Sequence, residues 1–395
     1  MIRAVLAVAA VAACGDNQPA VGPPIAHADT LVVIAHFDDD MIFMQPELLH
    51  ALESGSVTTV YVASGDPVHG DERAEHNFEA AMTAYGLAAR STHWDCGYVD
   101  AGGSPVHHCR LHDRPVSMIG LDLPDGGIPG DGAESLLHLV QGDVAALHIH
   151  GLVGGTANVA SITDELGAIV TATQPAELHA LDLAATHGYD HSSHLFSSAF
   201  AFWAAARVGY AGPVRWHRGY NVESEQPTLA DADLAAVTPM LSYFEACYFG
   251  CGTCGSSCPA LDPAHATWLR RQYSWTRDLT THGVLARTDD PAACLTVTGG
   301  ALGLGDCATA PVFLLDATGR LGTGGLCATA GDAAVTLAAC DGSAAQRWWL
   351  DSDGALWSAV PPAPAADMAH DHVRCLDGAT APICGARLHP TWLLH

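Results

Sequence analysis

The sequence predicts an α/β fold, in which a layered domain with a mainly parallel sheet is followed by a smaller all-β region. At 395 residues the chain exceeds the length at which one hydrophobic core stops growing, so at least two domains are expected. Strand-like and helix-like segments alternate up to about residue 283. The remainder consists of short strand-like segments that are rich in glycine, alanine, threonine and cysteine.

Apolar and β-branched runs predict the strands of the first domain, and helical spacing predicts the helices between them. The predicted strands are 30–35, 57–63, 116–123, 145–149 and 177–183, and the predicted helices are 71–85, 161–171 and 195–208. Gly86 is expected to end the first of these helices. This order is typical of a Rossmann-like layered domain, whose functional loops follow the carboxyl ends of the strands.

The composition excludes several partners and kinds of chemistry. With 16 basic and 43 acidic residues the formal charge is −27, which repels nucleic acid phosphates and anionic lipid headgroups. All 16 basic residues are arginine. The absence of lysine excludes Schiff-base chemistry, a lysine general base and a phosphate-binding P-loop. Nucleic acid is therefore not an expected partner, whereas neutral or cationic partners remain possible.

The amino terminus has the pattern of an export signal. One arginine is followed by an apolar run at 4–13, which is too short to span a bilayer, and then by Cys14. The residues up to Cys14 resemble the lipobox of bacterial lipoproteins, in which the cysteine carries lipid, and a plain signal peptide is the alternative. Residues 1–14 are thus expected to be the signal and 15–29 a linker. By this resemblance, Gly15 favours an outer-membrane or cell-surface lipoprotein of the bacterial envelope, with a lipid anchor as its one membrane contact.

The cysteine count supports export. If Cys14 carries lipid, 12 of the 13 cysteines remain, an even number that suits disulfides in an oxidising compartment. Four cysteines between residues 247 and 258 can form two disulfides or hold a structural zinc, and export favours the disulfides. The cluster is Cys247, Cys251, Cys254 and Cys258, and the spacing elsewhere suggests the pairs Cys96/Cys109, Cys294/Cys307, Cys327/Cys340 and Cys375/Cys384.

A histidine and three aspartates follow the first predicted strand, in the run from Ala35 to Asp40. His36 and Asp39, three positions apart, can converge on one metal at the start of a helix, while Asp38 faces a water there. A lone histidine would be structural, and three aspartates alone would form a solvated turn or a helix cap. The position of the cluster between a strand and an apolar helix favours a functional site.

A second polar cluster extends from Tyr189 to His194 and precedes a predicted helix. His191 and His194 lie at i and i+3 and share a helical face, so that one can bind metal and the other can meet a substrate carbonyl. A polar helix cap is the alternative interpretation. Because both clusters follow strands, we expect them to share one site.

Together the clusters resemble the PIG-L or LmbE-like family of N-acetylsugar deacetylases, which carry Ala-His-Pro-Asp-Asp-Glu after the first strand and a later His-x-Asp-His. The resemblance covers the predicted domain at 30–283 and implies removal of an acetyl group from an N-acetylated sugar or glycan. It implies one Zn²⁺ bound by His36, Asp39 and His194. It also implies that Asp38 is the general base, and that His191 stabilises the oxyanion or protonates the amine.

The same resemblance assigns further residues. Tyr189 matches a mobile catalytic tyrosine, Arg73 and Asp190 are expected to contact substrate, and the segment at 121–126 is expected to face the active site. Three positions differ from the family pattern: Phe37 replaces proline, Asp40 replaces glutamate, and Ser193 replaces the aspartate that normally orients the first histidine. Asp190 could supply this carboxylate from the other side.

Two other functions compete with the zinc hydrolase. The replacement at Ser193 would suit a surface carbohydrate-binding lipoprotein whose deacetylase-like domain is inactive. A metallophosphoesterase that uses the aspartate cluster is the third hypothesis. The absence of lysine and of further Asn/His-rich motifs disfavours it.

The last part of the chain contains three related segments, which begin at Cys294, Leu326 and Cys375. They resemble the ricin-type β-trefoil lectin domain, over residues 284–395, with its Gln-x-Trp motif intact at 346–348. Phe313 and Trp392 occupy the equivalent aromatic positions. Asp377 is the one plausible match for the galactose-binding aspartate of such repeats.

Overall fold

The structure is a computed structural model, which describes residues 21–65, 70–151, 154–182, 190–279, 281–316, 318–331, 334–351, 353–360, 374–380 and 391–394. For residues 65 and 70–73 it describes the backbone alone. The predicted lipidation site Cys14, the predicted catalytic Tyr189 and the side chain of Arg73 lie outside this description.

The helices and strands of the described residues are numbered in chain order. The helices are α1 Asp39–Phe43, α2 Glu47–Ser54, α3 Gly70–Ala89, α4 Leu136–Gln141, α5 Val159–Thr173, α6 Ser192–Arg207, α7 Asp231–Tyr248 and α8 Pro263–Leu269. The strands are β1 Thr30–Ile34, β2 Val57–Gly65, β3 Trp94–Ala101, β4 Ser104–Leu111, β5 Val116–Pro124, β6 Leu147–His148, β7 Thr156–Ala157, β8 Glu177–Leu181, β9 Pro213–His217, β10 Ser274–Asp278, β11 His282–Gly283, β12 Leu285–Arg287, β13 Ala293–Thr298, β14 Ala301–Asp306, β15 Phe313–Leu315, β16 Leu321–Thr323, β17 Leu326–Ala330, β18 Val335–Ala339, β19 Trp349–Leu350, β20 Leu356–Ser358, β21 Arg374–Cys375 and β22 Trp392–Leu394. None of these helices combines the length and the apolar composition needed to cross a bilayer.

The first sheet has eight strands in the order β10-β9-β8-β1-β2-β5-β4-β3. Its central strands β9, β8, β1, β2 and β5 are parallel, and antiparallel strands flank them on both edges. The prediction of a mixed α/β fold with a mainly parallel sheet is therefore confirmed. The predicted strand at 145–149 is not part of this sheet, since only Leu147–His148 is extended and pairs with β7.

Helices cover both faces of the parallel strands, which explains the continuous apolar run of the central strand β1. Alternate side chains of β1 enter different cores: Leu31 and Val33 join one buried cluster, whereas Val32 and Ile34 join the other. The first cluster contains residues of α4, α5 and α6, and the second contains residues of α1, α2, α3 and α7. The sheet is thus the middle of three layers.

The chain passes from the first sheet to a separate antiparallel region between Asp278 and His282. This region has a nine-stranded sheet in the order β11-β15-β16-β17-β18-β14-β13-β12-β22 and a three-stranded sheet, β19-β20-β21. The prediction of an all-β region is confirmed, and the β-trefoil stays a prediction. Gln346 is buried, donating from Nε2 to the Ala339 carbonyl at 2.9 Å and accepting at Oε1 from Asp341 N at 2.9 Å.

A shared apolar core joins the first sheet region to the second, with buried residues of both in one cluster. Trp203 of α6 donates its indole N–H to the carbonyl of Trp348 at 2.9 Å, and its ring packs edge-to-face on Trp349. Gly319 lies so close that a Cβ there would be 2.7 Å from the Trp203 ring. Burial of this aromatic area holds the two regions together.

Disulfides connect most of the cysteine pairs that spacing suggested. Among the described residues the pairs are Cys96–Cys109, Cys247–Cys254, Cys251–Cys258, Cys294–Cys307 and Cys327–Cys340. The four clustered cysteines therefore form two disulfides. Cys375 is also disulfide-bonded, and Cys384, its predicted partner, lies outside the described residues. Several disulfides in one chain indicate folding in an oxidising compartment.

Candidate metal centre and active site

The predicted clusters meet at the carboxyl edge of the parallel strands, which is where open α/β sheets place their sites. His36 follows β1, Asp125 follows β5, and His191 and His194 stand at the start of α6 after β8. Because β1 is hydrogen-bonded to β8 on one side and to β2 on the other, these loops converge. The rings of His36 and His194 are 5.3 Å apart.

The first cluster forms a tight turn between β1 and α1. The His36 backbone N–H donates to Asp39 Oδ2 at 2.7 Å, which fixes the Asp39 carboxylate under the turn. Phe37 is buried and stacks on Tyr61, with ring centroids 4.4 Å apart. Asp38 occupies the N-cap position of α1, yet its side chain makes no capping hydrogen bond. The Asp38 carboxylate is therefore not engaged in a hydrogen bond to the backbone of α1.

Three donors converge below this turn. Asp39 Oδ2 is 3.3 Å from His36 Nδ1, and Asp39 Oδ1 is 3.0 Å from His194 Nε2. One ligand atom from each of the three lies within 4.8 Å of the others. His194 is fully buried, and its Nε2, although 3.0 Å from Asp39 Oδ1, makes no hydrogen bond of suitable geometry with the described residues. Such an orphaned nitrogen beside a carboxylate fits a bound cation, because a metal would satisfy it.

A second trio shares His36. Asp125 and His191 also offer atoms that lie within 4.8 Å of His36 and of each other. Asp125 Oδ1 is 3.0 Å from His36 Nε2 but 3.5 Å from His191 Nε2. The contact between Asp125 Oδ1 and His36 Nε2 is a hydrogen bond. Asp125 is thus already satisfied within the protein, whereas His194 Nε2 has no such hydrogen bond. The trio that includes Asp39 and His194 is therefore the better candidate for holding a metal.

Both histidines of this trio carry a carboxylate on the opposite ring nitrogen. His194 Nδ1 is 2.7 Å from Asp190 Oδ1, and His36 Nε2 is 3.0 Å from Asp125 Oδ1. Metal-binding histidines almost always donate their second N–H in this way, which fixes the tautomer and strengthens the ligand. The arrangement leaves His194 Nε2 and His36 Nδ1 directed at Asp39.

The carboxylate of Asp190 lies behind His194 and does not line the cavity, although the sequence suggested a substrate contact. Its side chain is fully buried, and its Oδ1 also accepts from the backbone N–H of His191 at 2.8 Å and of Tyr220 at 3.2 Å. A Cβ on Gly219 would lie 2.4 Å from Asp190 Oδ2, so glycine is required at this close approach.

The charges of the trio stabilise one another. Burial would lower the pKa of His194, but Asp39 and Asp190 raise it to about 9. Burial would raise the pKa of Asp39, but His194 and His36 bring it well below its usual range. A metal must displace the protons from both imidazoles, so metal affinity here depends on pH.

His191 differs from the other two histidines in being neutral. It is the N-cap residue of α6, and its Nδ1 accepts from the Ser193 backbone N–H at 3.1 Å. Burial and the neighbouring His36 lower the pKa of His191 to about 3. With Nδ1 accepting, the ring proton of the neutral imidazole is on Nε2, which is thereby a hydrogen-bond donor. The capping interpretation and a chemical role are therefore compatible.

Ser193, which replaces the usual aspartate, contacts a carboxylate from another strand. Its hydroxyl donates to Asp125 Oδ1 at 2.9 Å and to the Asp125 carbonyl at 2.8 Å. The same Oδ1 lies 3.5 Å from His191 Nε2. Asp125 thus brings a negative charge beside His191 that the chain does not carry at position 193.

Behind Asp38 lies a buried pair that the sequence analysis missed. His265 Nε2 is 3.7 Å from Asp38 Oδ2, and His265 Nδ1 is 2.8 Å from Glu245 Oε1. Glu245 is 1 % exposed and also accepts from the Asp262 backbone N–H. Burial and the adjacent Asp39 raise the pKa of Asp38, against the opposing effect of His265. A carboxylate with a raised pKa in a cavity is suited to receive a proton.

These groups surround a cavity of about 160 Å³. Asp38, His191 and Asp125 line it, whereas Asp39 and His194 lie beneath. Tyr220 forms one wall; its ring stacks on Trp268 at 4.4 Å and lies 4.8 Å from the His194 ring. The other lining residues are His36, Phe37, Ala63, Ser64, Asn77, Phe244 and Tyr248.

Four residues at or behind the site had no individual role in the sequence analysis: Asp125, Tyr220, Glu245 and His265. An aspartate immediately after a parallel strand was an available sign of Asp125, within a segment expected to face the site. Neither Tyr220 nor His265 follows a predicted strand or belongs to a recognisable motif. Their places depend on how α7 and α8 pack.

No protein-family model matches the chain, and no curated protein sequence matches it. The geometry of the site and the residues that form it therefore carry the functional argument.

Proposed function

We propose that the protein is a zinc-dependent hydrolase that removes the acetyl group from an N-acetylated sugar or glycan, as its resemblance to the PIG-L or LmbE-like family implies. One observation carries the proposal. The imidazoles of His36 and His194 converge on the carboxylate of Asp39, and the buried His194 Nε2 lacks a hydrogen bond there. Beside them lies a cavity lined by Asp38, whose carboxylate caps no helix, and by the neutral His191. Hydrolysis of an amide at a metal needs this set of groups.

His36, Asp39 and His194 would hold the zinc, since two nitrogens and one oxygen are a typical catalytic donor set. Zinc held there would act as a Lewis acid on the amide carbonyl and lower the pKa of a water. Asp190 and Asp125 keep the two imidazoles in the correct tautomer and orientation.

Asp38 is the proposed general base. It lines the cavity beside the metal position, its carboxylate caps no helix, and its pKa is raised chiefly by burial. It would take a proton from the attacking water and later return it to the departing amine. His265, itself held by Glu245, lies on the far side of this carboxylate and would keep it directed at the cavity.

His191 is the proposed donor to the oxyanion. Its pKa of about 3 keeps the ring neutral at physiological pH, so it would stabilise the developing negative charge by donating a hydrogen bond from Nε2. A neutral imidazole is poorly suited to protonating the amine, which favours the first of the two roles that the sequence analysis assigned to it. The hydrogen bond from the Ser193 backbone N–H to Nδ1 orients the ring.

The size and charge of the site limit the substrate. A cavity of about 160 Å³ admits an acetamido group and part of one sugar ring. The chain's formal charge of −27 favours a neutral or cationic glycan. Tyr189 and the Arg73 side chain, for which the resemblance implies contact with substrate, remain proposals for this site.

The remaining predictions belong to the same proposal. Several disulfides agree with an exported protein, and Cys14 would anchor it to the bacterial envelope through lipid. The antiparallel region would be a carbohydrate-binding module of β-trefoil type. Asp377 is exposed, and its backbone pairs with Thr380 in a tight turn, which leaves the carboxylate accessible to a sugar.

The experiment measures metal content and acetate release on the purified mature protein. We expect one zinc per chain by elemental analysis, and acetate and free amine in equal amounts from N-acetylglucosamine derivatives. Asp231→Asn, at an exposed position on α7, is the matched control and should behave as the parent does. Glycan binding without acetate release from any substrate would favour the inactive carbohydrate-binding alternative.

A further inference from the structure

A second cavity lies where the first sheet region meets the antiparallel region, and we call it the interface cavity. Its volume is about 250 Å³. One wall comes from α5 and the end of α6, and the other comes from the β15–β16 turn and the segment before β19. Its lining residues are Val159, Ala160, Thr163, Arg207, Thr318, Arg320, Gly342, Ser343 and Arg347.

Three arginines line this cavity, in a chain that has 16 arginines and no lysine. Arg207 forms an ion pair with Asp164, and Arg320 pairs with Asp316 at 2.7 Å. Among the described residues no carboxylate pairs with Arg347. Three guanidinium groups against two carboxylates leave one uncompensated positive charge at the cavity, although the chain as a whole is strongly acidic.

One nitrogen of the Arg347 guanidinium group, NH1, holds the side chain in place. Its NH1 donates to the carbonyl of Val140 at 2.8 Å, at the end of α4, and makes a longer contact with that of Leu139. Its Nε and NH2 donate to no acceptor among the described residues. Burial lowers the pKa of Arg347, because no anion compensates the charge. A guanidinium edge with two parallel N–H groups matches a carboxylate.

The backbone around Arg347 is fixed on both sides. Gln346 is buried and hydrogen-bonded to Ala339, and the carbonyl of Trp348 accepts from the indole of Trp203. The cavity is therefore pre-formed, and a ligand would not need to order the arginine first.

We propose that the interface cavity binds a sugar unit that carries one carboxylate, such as a uronic acid residue of a glycan. The carboxylate would pair with Arg347. The hydroxyl groups would find partners in the lining hydroxyls of Thr318 and Ser343 and in the neighbouring guanidinium groups, an arrangement that suits a polyhydroxylated ligand. A phosphate dianion fits less well, because Asp164 and Asp316 compensate two of the three guanidinium groups and leave one positive charge for the ligand.

This inference goes beyond the proposed deacetylase, and its test does not depend on turnover. Isothermal titration of the mature protein with glucuronic acid should show binding that glucose does not show. Arg347→Gln should weaken glucuronic acid binding about tenfold or more, the usual worth of a charge-assisted pair. Arg277→Gln, on the exposed strand β10, is the matched control and should bind as the parent does.

Three results would overturn the proposal: no binding of glucuronic acid, equal binding of glucose, or tighter binding of glucose 6-phosphate or inorganic sulfate than of glucuronic acid. Should Arg347→Gln unfold the protein, Arg320→Gln provides the second variant, which keeps the Arg347 contact with α4. Its weaker binding of glucuronic acid at an unchanged melting temperature would support the site, and unchanged binding would contradict it.

Discussion

The two regions of the molecule differ in the polar groups that they bury. At the strand ends of the first sheet, Asp39, Asp190 and His194 are at most 1 % exposed, and the two ring nitrogens of His194 lie 3.0 Å from Asp39 and 2.7 Å from Asp190. In the antiparallel region the largest buried side chains are neutral indoles; Trp348 and Trp392 donate their N–H groups to backbone carbonyls, and Trp357 donates to the buried Asp351.

This contrast indicates that the two regions contribute differently to catalysis and to the stability of the fold. A buried cluster of charges costs desolvation free energy, and it persists only because each charge has a partner. Buried indoles with satisfied N–H groups stabilise the fold through apolar area and need no compensating charge. Changes in the first region should therefore alter metal binding and turnover, and changes in the second should alter the free energy of unfolding.

The largest expected effect is that of Asp39→Asn. This variant removes the one charged ligand of the proposed zinc site and leaves two imidazoles to hold the ion. We expect zinc occupancy to fall sharply and acetate release to fall with it, which elemental analysis and a substrate assay on the same sample would measure. A variant that kept both zinc and activity would show that the metal lies elsewhere.

The adjacent Asp38→Asn should retain zinc. Its carboxylate lines the cavity but is not a member of the converging trio, so we expect loss of turnover by roughly 10²–10⁴-fold, the usual contribution of a positioned base. The measurement pairs kcat with zinc content. Loss of zinc in Asp38→Asn, with zinc retained in Asp39→Asn, would mean that the roles are exchanged.

In the antiparallel region, Trp392→Ala should destabilise without altering the site. The side chain is fully buried and its indole N–H donates to the Leu376 carbonyl, so truncation should cost about 3–5 kcal/mol of unfolding free energy. Denaturant titration measures the loss, and zinc per folded chain should stay unchanged. Leu393→Ala, at the neighbouring exposed position, is the control.

The layered fold was predictable because its strands are long, apolar and buried on both faces. The ends of the helices were less predictable. Gly86 was expected to end α3, but the helix continues to Ala89. A Cβ on Gly86 would lie 2.7 Å from the Ser91 carbonyl oxygen, so this glycine permits a close contact and does not end the helix. The predicted strand at 145–149 has only two extended residues, because apolar content alone does not supply a strand partner.

For the site, local patterns identified the residues that converge but not the direction in which each points. His36, Asp39 and His194 come together as the motifs predicted. The orientation of Asp190, away from the cavity, depends on the close approach of Gly219 in a distant loop. His265 reaches Asp38 through helix packing, which no short pattern records.

The smallest effect that we expect at the active site is that of Glu245→Gln, which tests how the packing of α7 and α8 places His265 beside Asp38. Two disulfides, Cys247–Cys254 and Cys251–Cys258, close the loop between α7 and α8, and the helices on either side of it carry Glu245 and His265. Glu245→Gln keeps the shape but removes the charge that holds the His265 ring. We expect kcat to fall roughly tenfold, about the worth of one hydrogen bond to a charged group, with KM and zinc content unchanged.

A purely structural role for Glu245 would give a different result. In that case Glu245→Gln would lower the melting temperature, and the activity per folded molecule would equal that of the parent. The exposed Glu79→Gln on α3 provides the control for loss of a carboxylate. If kcat falls only in Glu245→Gln, and His265→Gln gives the same fall with no further loss in the double variant, the two residues act on Asp38 as one unit.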